Sequence, residues 1–199
     1  FMNKLNLNFK LLIFYTLIGG LLLILGFAEL FKPNKILNKI IKALIYIGII
    51  GYLSHFLGLV SRWIISGHAP WSNGYEAIIF ISWVGISAGL AFYFNSGFVS
   101  KNGIKDFFKS LFNTNIRSNA LIPAAGFMVA VIMMGFAHGG SALDPQITPL
   151  VPVLKSYWLI VHVAIITSSY GFLALSMIIA VIILFFYIVS GKNLYKIHH

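Results

Sequence analysis

The segment RWIISGHAPWSNGYEAIIFISW, residues 62–83, decides the fold, because it sets a compact polar loop between two long apolar runs. Ser72 and Asn73 have the short side-chain oxygens that accept from the free amides of a first helical turn. Glu76 follows Asn73 by three positions and completes a capping-box-like pattern, so a helix is predicted to begin here. Arg62 closes the preceding apolar run. It is expected at the same depth as Glu76, so the two can pair across a short hairpin of helices where water is scarce. Trp63, Trp71 and Tyr75 are expected to form an aromatic belt where hydrocarbon meets headgroups.

Working outward, hydrophobic residues make up 59% of the 199 positions and charged residues only 9%, with a mean hydropathy of +0.93. Soluble domains carry far more charge, so the chain reads as an integral membrane protein in contact with lipid. A net charge of +10 would suggest nucleic acid in a soluble domain. Here the basic residues cluster beside the apolar runs, which assigns them to topology and excludes a nucleic-acid role. The absence of cysteine removes disulfides, thiol redox chemistry and thiolate ligands, leaving His, Met or carboxylate for any iron or other transition metal.

Five runs are long enough to cross about 30 Å of hydrocarbon as helices: residues 11–30, 41–63, 74–94, 120–137 and 157–189. The first follows two lysines but lacks a signal-peptide cleavage pattern, and reads as a retained span. The last exceeds a bilayer's need and is expected to tilt or to emerge at one end. Lys32, Lys35, Lys39 and Lys42 follow the first span, Lys101, Lys105, Lys109 and Arg117 the third, and Lys192 and Lys196 the fifth. The positive-inside bias makes those faces cytoplasmic, with the N-terminus outside and the C-terminus inside. The expected fold is therefore all-α and polytopic, one transmembrane domain over 1–199, with outer loops at 64–73 and 138–156. Lys101 to Lys109, with Phe107 and Phe108 among the charges, reads as a short surface helix or as a solvated loop.

Ionisable groups at membrane depth are functional candidates by default. His55 lies inside the second span beside Ser54 and reads as a relay group, a ligand or a histidine hydrogen-bonded within the bundle. His68, beside Pro70, reads as a solvated loop residue, and His138 as an exposed residue at a helix end. His162 stands about 9 Å along the fifth helix from Ser156. It shares a face with Trp158, Ile165, Ile166 and Ser169. A neutral imidazole there, with Trp158 able to pack on a flat aromatic ligand, suits an axial position on a heme or another metal; a buried imidazole bonded to Thr167 or Ser168 is the alternative. Gly85, Gly89, Ala88 and Ala91 suggest a close helix-packing face, and Met128, Met133 and Met134 a core. No carboxylate is read inside the membrane.

The segment 62–83 resembles the Arg-Trp-x-x-Ser-Gly-His-x-Pro-x-Ser-Asn-x-Tyr-Glu-x-x-x-Phe-x-Ser-Trp stretch of the CcsA/ResC family of cytochrome c biogenesis proteins. The run LVPVLKSYWLIVHVAIITSSYGFLAL, residues 150–175, is similar to that family's Pro-x-Leu-x-Ser-x-Trp-Leu-x-x-His-Val segment and the Tyr-containing helix after it. The resemblance covers most of the chain from about Lys39 onward.

It implies system II cytochrome c maturation in the bacterial cytoplasmic membrane with the active face periplasmic, a thylakoid setting being the other possibility. Such proteins, often joined to a CcsB/ResB half, carry heme b as substrate and present it outside. There its vinyl groups form thioethers with a CXXCH apocytochrome c, the reaction of a holocytochrome c synthase, or heme lyase. By resemblance His162 ligates heme iron, with Trp158 beside it. Arg62, His68, Pro70, Asn73, Tyr75, Glu76, Trp83, Pro152, Ser156 and Tyr170 match motif positions without an assigned role. The family's Trp-rich Trp-Gly-x-x-Trp-x-Trp-Asp segment and its two later histidines are absent. The chain is therefore expected to be part of a larger protein or complex and inactive alone. Two other classes stay open: a small-solute transporter using Thr167, Ser168, Ser169 and Tyr170, and a non-catalytic assembly scaffold.

Overall fold

In hydrocarbon a long apolar run satisfies its own N–H and C=O groups by forming a helix. A computed structural model of the chain describes residues 2–32, 34–95, 120–139, 143, 146 and 156–190, and these form five helices with no strand among the described residues. They are α1 Met2–Phe31, α2 Lys35–Ser66, α3 Gly74–Asn95, α4 Leu121–Gly139 and α5 Tyr157–Ser190. Each contains a stretch long and apolar enough to cross a membrane, as the sequence predicts. The residues expected as a surface helix at 101–109 lie outside the described residues, as do most of loop 138–156 and Pro152.

The first two helices begin earlier than hydropathy predicts, because a helix need not start where hydrocarbon does. Asn34 is extended (φ −138°) and its side-chain oxygen accepts from Ile36 N, so α2 starts at Lys35. Its 32 residues reach about 48 Å, well beyond a bilayer's hydrocarbon. Gly67 ends it in the left-handed region (φ 69°), its N–H donating to Trp63 O at 2.9 Å. A side chain is strained in that conformation, which is why glycine stands there.

Between membrane helices there is little hydrophobic driving force, so close packing of small residues carries association. The core lies between α1, α3 and α4, with α2 against α1 and α5 against α3 and α4. Phe127 of α4 is fully buried and fills the space that two glycines leave. A Cβ on Gly48 of α2 would stand 2.5 Å from its ring tip, and one on Gly19 of α1 3.1 Å from its Cβ. The α3/α4 seam is closer still. A Cβ on Gly126 would lie 3.0 Å from Gly85 O and 3.2 Å from Gly89 Cα, so backbone meets backbone. Gly85, Gly89 and Ala88 thus form the expected packing face, whereas Ala91 points outward, one position beyond the seam's stripe. Met134 is buried, and Met128 and Met133 pack at the edges of the core.

Gly126→Val forces the two backbones apart, since no flexible side chain is available to yield. It is expected to lower stability by about 1–3 kcal/mol, the usual range for overpacking. Thermal unfolding in mild detergent, with helical content unchanged before the transition, checks it; an unaltered midpoint would contradict the seam.

α5 joins along one half only. A Cβ on Gly171 would stand 2.8 Å from Val84 Cγ1, and Leu175 is buried with Ala88, Ala125 and Val129. Toward its start α5 is open: Tyr157 is 73% exposed and Trp158 79%.

Candidate functional site

Loop 67–73, the start of α1, the end of α4 and the start of α5 meet at one end of the bundle, and the polar groups concentrate there. Because Gly67 turns the chain sharply, Arg62 on the last turns of α2 faces Glu76 on the first turn of α3. Arg62 Nε donates to Glu76 Oε1 at 2.7 Å. The second carboxylate oxygen accepts from Ser72 N at 3.0 Å, and Asn73 Oδ1 accepts from Glu76 N at 2.8 Å. Glu76 therefore holds both positions its sequence context suggests, reaching back over the cap and across the hairpin. Its side chain is fully buried and that of Arg62 is 16% exposed. A charge pair so dry is held only because its remaining lone pairs are satisfied.

Two expectations change at this point. His68 is buried, not solvated: its Nδ1 lies 3.2 Å from Ala69 O and 4.0 Å from Glu76 Oε2, and Pro70 is buried beside it. The loop folds inward because Glu76 draws Ser72 down onto the α3 start. Tyr75 is not part of a belt. It is 3% exposed, carries the Arg62 guanidinium over its ring at 5.4 Å, and accepts from Asn8 Nδ2 at 3.0 Å. Trp63 remains 51% exposed.

Trp71 turns inward as well. It packs edge-on to Trp63 and against Phe80 at a ring separation of 4.8 Å, and its indole N–H donates to Ile160 O of α5 at 3.2 Å. Phe80 continues to Trp83, which stacks on Tyr52 at 5.4 Å and on Phe56 at 5.6 Å. Trp83 Nε1 has no hydrogen-bond partner. These rings fill the space between α2 and α3.

His162 lies on the open part of α5 and is exposed, with Trp158 exposed one turn earlier and Ile165 64% exposed on the same face. It is not a core histidine bonded to Thr167. That hydroxyl turns back to its own helix, donating to Val163 O at 2.6 Å with Ala164 O also in reach at 3.1 Å, and Ser169 does likewise to Ile166 O. The imidazole and the Arg62–Glu76 cluster thus occupy the same end of the bundle, with Trp71 touching both neighbourhoods. Among the described residues no three His or carboxylate groups converge as a metal site. Of the described histidines at that end, His162 is the exposed one.

The two remaining described histidines, His55 and His138, lie against other helices. His55 is 1% exposed; its Nδ1 lies 3.4 Å from Tyr15 Oη, and its Nε2 is unpartnered, the within-bundle arrangement. His138 is half-buried, not exposed. Its Nδ1 lies 2.8 Å from Met134 O and so carries the proton, because a carbonyl only accepts. Its ring sits against Phe9 and Tyr75.

Three features escaped the sequence. Glu29, the last residue of the first span, is 5% exposed, so a carboxylate is buried at the span's edge; its place at the end of the apolar run disguised it. The Asn8–Tyr75 and Trp71–Ile160 bonds join residues 67 and 89 positions apart. No local pattern carries such pairs.

The Cytochrome C assembly protein family profile matches residues 71–197. The chain is 37% identical to Protein NrfI of Wolinella succinogenes over 158 residues, covering 79% of this chain and 15% of that protein. It is 36% identical over 139 residues to the cytochrome c biogenesis protein CcsA of Pyropia yezoensis, covering 69% and 36% of the two chains. With CcsA of Trieres chinensis it shares 29% identity over 180 residues, 90% of this chain and 48% of that one. The chain thus spans less than half the length of each of these relatives. The profile takes in loop 71–73, the Glu76 cluster's α3 side and the whole of α5 with His162, and on that ground the chain belongs to the cytochrome c assembly protein family.

Proposed function

We propose that this chain takes part in cytochrome c maturation by presenting heme on the outer face of a bacterial cytoplasmic membrane, with His162 as an axial ligand to the iron. The single observation that supports this most is the exposed imidazole of His162, with Trp158 exposed on the same face, in a membrane protein of the cytochrome c assembly family. The basic residues after α1 and the third and fifth spans favour a cytoplasmic position for that end of the bundle, which turns the His162 end outward.

The chemistry asked of the protein is modest. A CXXCH apocytochrome supplies two thiols; each S–H adds across one vinyl group, forming a C–S bond and a C–H bond, with no oxidant consumed. This chain's part is to bind and orient. The imidazole would hold the iron and Trp158 would pack against the macrocycle; fixing heme in this way would favour its reaction with the incoming thiols by proximity and orientation. A partner, either a CcsB/ResB-like half or the Trp-rich segment found in the family, would supply the second ligand. The chain alone would then be an incomplete heme lyase. A transport route through Thr167 to Tyr170 has less support, because Thr167 and Ser169 donate to their own helix and Tyr170 is exposed.

The test is the optical spectrum of the protein purified from its own membrane. A low-spin heme band is expected in the wild type, lost or reduced severalfold in His162→Ala and His162→Gly, and partly restored in the glycine variant by added imidazole. An identical band in wild type and both variants would remove His162 as the ligand.

A further inference from the structure

His162 sits on a helix held unevenly. From Gly171 onward α5 is seated on Val84 and on the Ala88, Ala125 and Val129 cluster. His162 is nine residues before that seat, about 13 Å along the axis. Residues 156–158 are exposed, as is His162 itself, and 159–161 are only half-buried. A helical segment with so few packed neighbours opens readily, which is poor support for a ligand that must orient a planar group.

Among the described residues one side-chain hydrogen bond crosses to this stretch. Trp71 Nε1–H donates to Ile160 O at 3.2 Å and so ties α5 to the rest of the bundle. Ile160 is two residues from His162, in the same turn. The donor is itself well fixed: Trp63 and Phe80 pack on its ring, and the adjoining Ser72 is held by its N–H to Glu76 and by its hydroxyl to Ala69 O at 2.7 Å. The sequence order is therefore a mechanical one, from the buried Arg62–Glu76 pair through Ser72 to Trp71 and so to the turn that carries the imidazole.

We propose that Trp71 is a positioning residue for His162: its indole N–H fixes the first turns of α5 and so the direction of the imidazole. The inference rests on the ligand role given to His162 above, and it predicts a specific division of labour. The Trp71 ring fills space, while its N–H sets the helix. Removing the N–H alone must therefore loosen residues 157–164 without loosening the seat beyond Gly171.

Trp71→Phe keeps a flat ring and deletes the donor, and Trp83→Phe is the control that makes the same change at an indole whose N–H has no partner and whose ring does not touch Trp71. Amide hydrogen exchange on the purified protein is expected to rise severalfold at 157–164 in Trp71→Phe, with 171–182 unchanged and with Trp83→Phe like the wild type at 157–164. Heme titration of the same variant is expected to show retention weakened about fivefold, the factor that one net hydrogen bond represents. Equal exchange in Trp71→Phe and wild type overturns the proposal. So does faster exchange with heme retention unaltered while His162→Gly loses it, for then the tether exists and does not serve the ligand. Failure of the ligand reading shows separately, as a His162→Gly spectrum identical to the wild type.

Discussion

Glu76→Ala is expected to lower the stability of the bundle by about 3–5 kcal/mol, because it leaves the Arg62 charge largely buried without its partner. The carboxylate has two structural duties, accepting from Arg62 Nε and from Ser72 N. Its loss therefore strips a cation and a loop amide together. Glu76→Gln should fall between, since the amide oxygen still accepts from one donor while the charge is gone. Arg62→Met combined with Glu76→Leu should recover most of the loss, as apolar pairs of similar volume replace buried ion pairs with little net change. Thermal unfolding in detergent, followed by tryptophan fluorescence, gives all three. If the double variant is no better than Glu76→Ala, the damage lies in the loop and not in the uncompensated charge.

Phe127→Ala is the second large effect, also about 3–5 kcal/mol, the range for truncating a buried aromatic side chain. In a membrane the lost term is packing more than transfer from water, because lipid is as apolar as the site. Phe127 fills the groove over Gly48 and Gly19 and touches Tyr15 at a ring separation of 5.6 Å, so three helices lose contact at once. Gly48→Ala supplies the check. Alone it should destabilise, since its methyl would meet the ring at 2.5 Å; in the Phe127→Ala background it should restore part of the loss by occupying the cavity. Additive losses in the double variant would rule out the groove as the cause.

The fold was legible because membranes leave so few options. Runs of about twenty apolar residues name the helices, and the Asn73–Glu76 spacing names the start of α3 to the residue. Hydropathy misplaces the starts of α1 and α2, because it marks apolar runs, whereas a helix start is a backbone event, fixed in α2 by the Asn34 cap. The site was half legible. Arg62 and Glu76 are separated by a short hairpin, so depth alone pairs them. Whether His68 faces water or protein depends on where Ser72 is drawn, and Tyr75's burial depends on Asn8, far away in sequence. The face of α5 was read correctly as a set of residues, His162 with Trp158 and Ile165. Whether that face was open or closed depends on neighbouring helices, about which a helix's own periodicity says nothing.

The seat of α5 also has a history within each molecule. Val84 and Gly85, which a side chain at Gly171 would meet, leave the ribosome about ninety residues before Gly171 does. At ordinary synthesis rates that interval is roughly 4–17 s. Throughout it the notch that will receive Gly171 faces acyl chains, so the last helix arrives by displacing lipid and not water. Its docking is then an exchange reaction with the bilayer as the competing partner, and the speed of maturation becomes a property of the membrane's composition as much as of the chain.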